Sequence, residues 1–391
     1  MLRPDHPLGD LRVLDLARVM AGPYGARLLC DLGADVVKLE PPEGDITREW
    51  GDQRHGLSGF YTQQNAGKRN ICVDLKSSDG PALVRELADR ADVLIENFRP
   101  GVMARLGLDF DTLSARNPRL VMVSITGFGQ NGPESHRQAY APVIHAEAGY
   151  ISRHSEMDAN PPSDPIFSLG DSYAALHGTV ALLAALHMRE RTGHGQHIDL
   201  GMLRALVATD DYSHHLLDEE LPPERLGGQV FDAPGGTILI SAQWKGVWHQ
   251  LKTLFGVEAE PADTLDETLA NKQRAARAWV AAHPTREALA RDLDRAGLPW
   301  GDVRSMDEVL DSPTLRSVDL YGDVDDRGGG KRRVIQAPYE FSHAASGIQG
   351  PAPRRGEHNV EVLEEWLALD AAEIDRLRRA GVLLQEAELS E

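Results

Sequence analysis

The sequence predicts an α/β protein: a doubly wound, Rossmann-like large domain joined to a smaller α+β domain. Three observations carry this. Strand, turn, helix and strand signals follow one another between Leu11 and Glu40, the order that builds a parallel sheet. Three further β–α units follow before Ile125. Beyond residue 225 the pattern changes to a glycine-bearing hairpin and charged amphipathic helices. A chain of 391 residues also exceeds what one small core organises, so two domains are expected. The expected bounds are 1–217 for the first part of the large domain, 225–330 for the small domain, and 331–391 for a C-terminal segment that returns to the large one.

In order, residues 11–17 alternate and are rich in β-formers, so they read as a strand. A turn around Ala21-Gly22-Pro23 leads to helical spacing over 24–33, and 35–40 is a second strand stopped by Pro41-Pro42. The first turn has no GxGxxG, so the architecture is predicted without a dinucleotide site. Residues 43–69 read as loop. Residues 70–75 form a strand, residues 76–80 open a helix to 91, and 92–98 is a strand. Short helices over 102–108 and 109–116 precede a strand at 120–125, which ends in a glycine-rich run to Pro133. Residues 172–188 are mostly Ala, Leu, Val and Thr without proline, a largely buried helix. It stops at 191–196; 197–200 is a last strand and 202–217 another helix. A hairpin candidate spans Gly227-Gly228 to residues 237–242, an amphipathic helix 285–296, a turn or linker 325–331, and a charged helix 363–380.

Composition narrows the function. Forty-one basic against sixty acidic side chains leave a net charge of −19, which argues against nucleic acid and anionic membranes as partners. A basic cleft for an anionic small molecule survives within such a whole. No stretch approaches the roughly 20 uninterrupted apolar residues that span a bilayer, and residues 1–10 carry no apolar run of the signal-peptide kind. Cys30 and Cys72 form no CxxC and read as free, buried thiols, consistent with a cytoplasmic location.

Asp171 follows Gly170 at the start of the 172–188 helix. An aspartate there commonly just caps the free first-turn N–H groups. The sharper reading is a nucleophile, because the helix N-terminus favours an ionised carboxylate and Gly170 allows close approach. Arg18, Val19, Met20, Lys76, Asn97, Phe98 and Arg105 fall at or just beyond strand ends, where doubly wound sheets bind ligands. For any one of the basic groups, taken singly, a solvated surface residue is the better reading. His214-His215 with Asp218 and Glu219 lack metal-ligand spacing, so no metal is expected. There is no GxSxG, and Gly328-Gly329-Gly330-Lys331 is not a full phosphate loop.

Several strings, in order, resemble the class III coenzyme A-transferases, the family of the formyl-CoA:oxalate and carnitine enzymes. They are Val13-Leu14-Asp15-Leu16 with Ala21-Gly22-Pro23, Leu32 to Glu40, Asn65-Ala66-Gly67-Lys68-Arg69, Asp74-Leu75-Lys76, and Glu96 to Gly101. Thr126-Gly127-Phe128-Gly129, Gly170-Asp171, Thr192 to Gln196 and Gly356-Glu357-His358 continue the match. It is weakest over 225–330.

The resemblance implies a CoA-transferase in which Asp171 attacks an acyl-CoA thioester and passes through covalent aspartyl intermediates. It implies CoA contacts from Val19, Ala21, Lys76, Asn97, Phe98, Arg105 and Met202, with Met20 and Tyr140 beside the acyl group. It implies a glycine loop matched by Gly227 and Gly228, with Gly235-Gly236 as the fallback, and an interlocked homodimer. No permanently bound cofactor is expected; acyl-CoA and a small carboxylic acid are the substrates. Arg18, Arg137 and Arg153 are candidates to pair with a second carboxylate of a dicarboxylic acid. Two departures stand out: Met20 replaces a glutamine of some members, and Ala141 replaces an acidic residue of many. His145 and Glu147 are nearby polar groups, with a structural role an equal reading. Two alternatives stay open, a 2-methylacyl-CoA racemase and a non-catalytic CoA binder. The racemase branch is similar but has a histidine where Tyr140 stands, and tyrosine is a poor base at neutral pH.

Overall fold

A computed structural model of the chain describes residues 5–158, 160–211, 213, 217 and 228–386. Two compact units are present, Met1–His214 with Asp319–Glu391, and His215–Val318.

The larger unit is built on six strands: β1 (Arg12–Asp15), β2 (Asp35–Glu40), β3 (Arg69–Cys72), β4 (Val93–Glu96), β5 (Val121–Thr126) and β6 (His197–Gly201). All pair in parallel, in the order β3-β2-β1-β4-β5-β6. The chain winds outward one way from β1 and then the other way from β4. The order therefore reverses between β1 and β4, and a crevice opens above their carboxyl ends.

Strand side chains alternate between two cores, because successive Cβ atoms point to opposite faces. Leu14, Leu94 and Met122 face one layer, with Leu83 and Leu87 of the helix Gly80–Ala88 and Val362, Trp366, Ile374 and Leu377 near the C-terminus. Val13, Val36, Ile95 and Val123 face the other, with Leu29 of the helix Ala21–Asp31, Leu182 and Leu186 of Leu169–Thr192, and Leu206 of Met202–Thr209. Both faces are covered, which is why β1, β4 and β5 read as near-continuous apolar runs. By length and composition, Leu169–Thr192 is also apolar enough to cross a bilayer, a property the sequence reading did not recognise. Here one face of the helix covers the sheet.

Four local readings differ from the sequence expectation. Residues 43–69 are not all loop: a 3-10 turn, Ile46–Glu49, and a helix, Gly59–Asn65, lie within them. Asp45 caps the first by accepting the Thr47 N–H, and Ser58 caps the second by accepting from Tyr61. Elements this short carry too few turns to show a period. The charged helix near the end is two, Asn359–Leu367 and Ala371–Arg379. Ala368 turns left-handed at φ 55°, and Asp370 opens the second helix by accepting the Glu373 N–H. The helix after β6 ends at Thr209 because Asp210 is extended. The first helix begins at Ala21 rather than Tyr24, with Pro23 in its first turn, where its missing N–H costs nothing.

The smaller unit has an antiparallel sheet, β7 (Gln229–Ala233), β8 (Gly236–Ile240) and β9 (Trp300–Asp302), with β8 central. Three helices, Trp244–Phe255, Leu265–Ala281 and Arg286–Arg295, bury Val247, Leu251, Val280 and Leu289 with Phe231 and Ile238. The glycine-rich 325–331 stretch is the turn of a hairpin, β10 (Tyr321–Asp325) and β11 (Lys331–Ile335), within the larger unit.

Candidate active site

A cavity of about 620 Å³ occupies the crevice at the carboxyl ends of β1, β4 and β5. Val19, Ala21, Lys76, Asn97, Phe98, Tyr140, Asp171 and Met202 all line it. Residues separated by up to 183 positions in sequence thus meet at one sheet edge: most follow a parallel strand or open the helix after it, and Tyr140 and Asp171 lie at the starts of later helices. Met20 precedes Ala21 as the residue before the first helix and is not part of the lining. Arg105 is exposed on the helix Val102–Leu106, whose Val102 and Leu106 do line the cavity. Gly227 lies outside the described residues, as do His214, His215, Asp218 and Glu219. Gly228 belongs to the smaller unit, where a side chain would meet Leu239 at 2.4 Å. Gly235 lies in the turn between β7 and β8 and Gly236 opens β8, with φ of 79° and 128°.

Asp171 is in the first turn of the helix Leu169–Thr192, two residues beyond its start, so it is not the cap; Ser168 holds that position. Three helices begin around its carboxylate: its own, Ala21–Asp31, and Ala141–Glu147. Burial pushes the carboxyl up to about 6, while the backbone N–H groups of Ala21 and Ala141 favour its ionised form. The result is a buried carboxylate still ionised at neutral pH but less stabilised than one in water. Gly170 is what lets Ala141–Glu147 come this close, since a Cβ there would sit 3.2 Å from Ile144.

His145 is fully buried and supports the site from behind. Its Nε2 accepts the Gly170 N–H at 3.2 Å, so the ring proton is on Nδ1, which donates to Asp164 at 2.8 Å. Both ring nitrogens are used, which leaves no lone pair for a substrate proton. Glu147 pairs with Arg137, which also pairs with Glu134 and stacks over Phe128. Neither His145 nor Glu147 replaces the acidic group that Ala141 lacks.

The cavity lining also carries the cations Arg18, Lys76 and Arg99 and the carboxylates Glu43 and Asp74. Arg18 lies over the Phe98 ring, and Lys76 pairs with Glu43 at 3.5 Å with both side chains exposed. Asn97 spends its amide on the backbone: its Oδ1 accepts the Arg18 N–H at 2.9 Å and its Nδ2 donates to the Arg18 carbonyl at 2.7 Å. That bond spans β1 and β4 at the switch point. Glu96 accepts the Phe98 N–H at 2.8 Å, and burial raises its carboxyl to about 7. The lining suits a ligand that carries both phosphates, for the cationic side chains, and a reactive carbonyl, for Asp171.

A family model described as CoA-transferase family III matches residues 8–359. The chain belongs to that family. Among curated relatives of this class III CoA-transferase is the succinate–glutarate CoA-transferase of Agrobacterium fabrum, 33% identical, covering 92% of this chain and 95% of the relative. The formyl-CoA:oxalate CoA-transferase of Streptomyces coelicolor is 32% identical over 96% of this chain and 99% of its own length. Among solved structures, a CAIB/BAIF family protein from Brucella suis is similar with a TM-score of 0.79 and 31% identity, covering 93% of this chain and all of that one.

Two parts of the transferase site escaped the sequence. Asp45, beyond β2, bonds the Val19 N–H, and the Ala21 and Ala141 N–H groups act on Asp171. Backbone donors have no side-chain signature, so the second was not readable from residue types. The first had a signal, an aspartate after Pro41-Pro42-Glu43-Gly44, but only as a turn residue.

Proposed function

We propose that this CoA-transferase works through covalent catalysis at Asp171. The ionised carboxylate attacks the thioester carbonyl, expels CoA thiolate and forms a mixed anhydride. The thiolate attacks the aspartyl carbonyl, releasing the first acid as carboxylate and leaving an aspartyl-CoA thioester. The second acid attacks that carbonyl, and the freed thiolate takes its acyl carbon from the new anhydride, which regenerates Asp171. One activated acyl bond, thioester or anhydride, is kept throughout and a thioester is regained at the end, so the exchange needs no energy input, and the covalent route splits one difficult transfer into easier steps. The Ala21 and Ala141 N–H groups are placed to take up negative charge on oxygen at Asp171. One observation carries the reading: a buried carboxylate at the meeting of three helix starts, lining a cavity that also carries Arg18, Lys76 and Arg99.

The test is mass spectrometry of the protein incubated with a panel of acyl-CoAs and trapped with hydroxylamine or borohydride. A donor-dependent modification at Asp171, absent from Asp171→Ala, is expected, and that variant keeps its CoA affinity. Full transfer by Asp171→Ala overturns the mechanism. The racemase alternative needs two bases across one carbon, and the described groups near Asp171 supply only Tyr140 and the engaged His145. Deuterium exchange at an acyl α-carbon would restore that reading.

The acceptor is read as a dicarboxylic acid, because Arg18 and Arg137 line the cavity, Arg137 shared with Glu134 and Glu147, whereas Arg153 does not line it. A monocarboxylate that serves equally well rules this out. The protein is also read as a homodimer. Leu176, Val180 and Leu183 stand at i, i+4 and i+7 on the long helix with 41%, 67% and 37% exposure, an apolar stripe of the kind a second copy covers. Light scattering of the native protein at the mass of one chain would contradict it.

A further inference from the structure

Strand β1 ends at Asp15 and the first helix starts at Ala21, so five residues make the whole turn. In doubly wound sheets this turn is where glycine is used for its conformational freedom. Here Val19 takes a left-handed backbone with φ 70°. For a β-branched residue that is an outlier, and such strain persists only where the surroundings over-determine it.

Asp45 accepts the Val19 N–H at 3.2 Å through Oδ2. The same carboxylate accepts from the Thr47 N–H and hydroxyl at 3.0 and 2.8 Å and pairs with Lys38 at 3.2 Å. Lys38 also donates to the Ala17 carbonyl at 2.8 Å, and neither its side chain nor that of Asp45 is exposed. One residue away, Asn97 holds both backbone groups of Arg18. The helix start has no slack, since a Cβ on Gly22 would sit 2.1 Å from the Ala17 Cβ. Asp45 itself does not line the cavity, so whatever it does for substrate goes through the backbone it holds. A buried ion pair returns little net stability against an apolar pair of similar size, which points to a geometric task.

We propose that Asp45 is a positioning residue: paired with Lys38, it holds Val19 left-handed and so aims the Ala21 N–H at the Asp171 carboxylate. This rests on Asp171 being the nucleophile, and its consequence is kinetic. If Val19 relaxes to an ordinary φ, the start of the first helix turns and one of the N–H donors at Asp171 is lost.

The experiment is a double-mutant cycle between positions 45 and 19, with folding followed by circular dichroism. Asp45→Asn keeps the volume and one acceptor but gives up the charge that faces Lys38. Its kcat is expected to fall about 10- to 100-fold, the scale of a small misplacement of catalytic groups, while KM for acyl-CoA stays within about threefold. The acid limb of its pH–rate profile moves to higher pH, because the carboxylate has lost a donor. Glycine takes positive φ without steric cost, so with Val19→Gly present the loss from Asp45→Asn shrinks about tenfold and the limb returns. Equal losses with valine and with glycine at 19 overturn the proposal, since a purely structural Asp45 is indifferent to that residue. Asp45→Glu is the second variant. It keeps the buried charge for Lys38 but moves the acceptor, so it is expected to lose kcat with the same rescue; full activity overturns the proposal. Trapping at Asp171 in the wild-type protein separates the two readings. An unlabelled Asp171 overturns the covalent mechanism and the proposal with it, whereas a labelled Asp171 with uncoupled positions 45 and 19 overturns the proposal alone.

Discussion

Replacing Asp171 by asparagine should remove activity and make the protein more stable. The carboxyl is 8% exposed, and burial raises it from its ordinary 3.8 to about 6. Between those two values the folded state holds a proton that the unfolded chain has released. Stability of the wild-type protein therefore falls as pH rises through roughly 4 to 6 and stays low above it. Converted at about 1.4 kcal/mol per tenfold change in proton affinity, the ionised side chain costs the fold on the order of 3 kcal/mol at neutral pH. Asparagine keeps the shape and one acceptor for the Ala21 and Ala141 N–H groups without the charge. At pH 8 Asp171→Asn should raise Tm by several degrees, with the gain shrinking below pH 6 and vanishing near pH 4. Calorimetric melts of both proteins across that range measure it. A variant no more stable at pH 8, or a difference that ignores pH, would refute the argument that the site is charged at the expense of the fold. Such a trade is expected where a reactive group must be kept in a poor environment.

Three other outcomes follow from the same geometry. The transfer rate should fall about tenfold per pH unit below roughly pH 6, because only ionised Asp171 attacks; an acid limb near 4 would show that burial does not act on the nucleophile as described. His145→Ala strips the Gly170 N–H and Asp164 of their partner, so it should cost about 1–3 kcal/mol in denaturant unfolding and lower kcat more than it raises KM. Unchanged stability would show that the buried ring supports nothing. Lys76→Ala removes an exposed cation from the rim, so CoA affinity by calorimetry should weaken only about two- to fivefold at low salt, less at high salt. A salt-independent loss would place Lys76 in a desolvated contact instead.

Much of the fold was legible because its signals are local. Val13-Leu14 and Leu94-Ile95 alternate between two covered faces, and Gly33, Pro41 and Gly193 punctuate the elements. Asp171 was legible as a helix-start carboxylate, and the strand-end positions 19, 76, 97 and 98 followed from the rule that parallel sheets bind at their carboxyl edge. The misses have a common cause. The helix Gly59–Asn65 is too short to show a period, and the break at Ala368 depends on one left-handed residue that leaves no pattern. Asn97 was readable as a residue at the right place, but not as a clamp on Arg18, because its partner is a backbone 79 residues away.

The sequence by itself determined the doubly wound sheet, the family resemblance and the choice of Asp171 as the candidate carboxylate, since each rests on side-chain type and spacing along the chain. Only the tertiary structure decided that Asp171 is buried enough to titrate near 6, that His145 stands behind it rather than facing substrate, and that Asp45 holds a strained Val19. These depend on backbone N–H groups and on burial, and both arise only when segments distant in sequence are packed against one another.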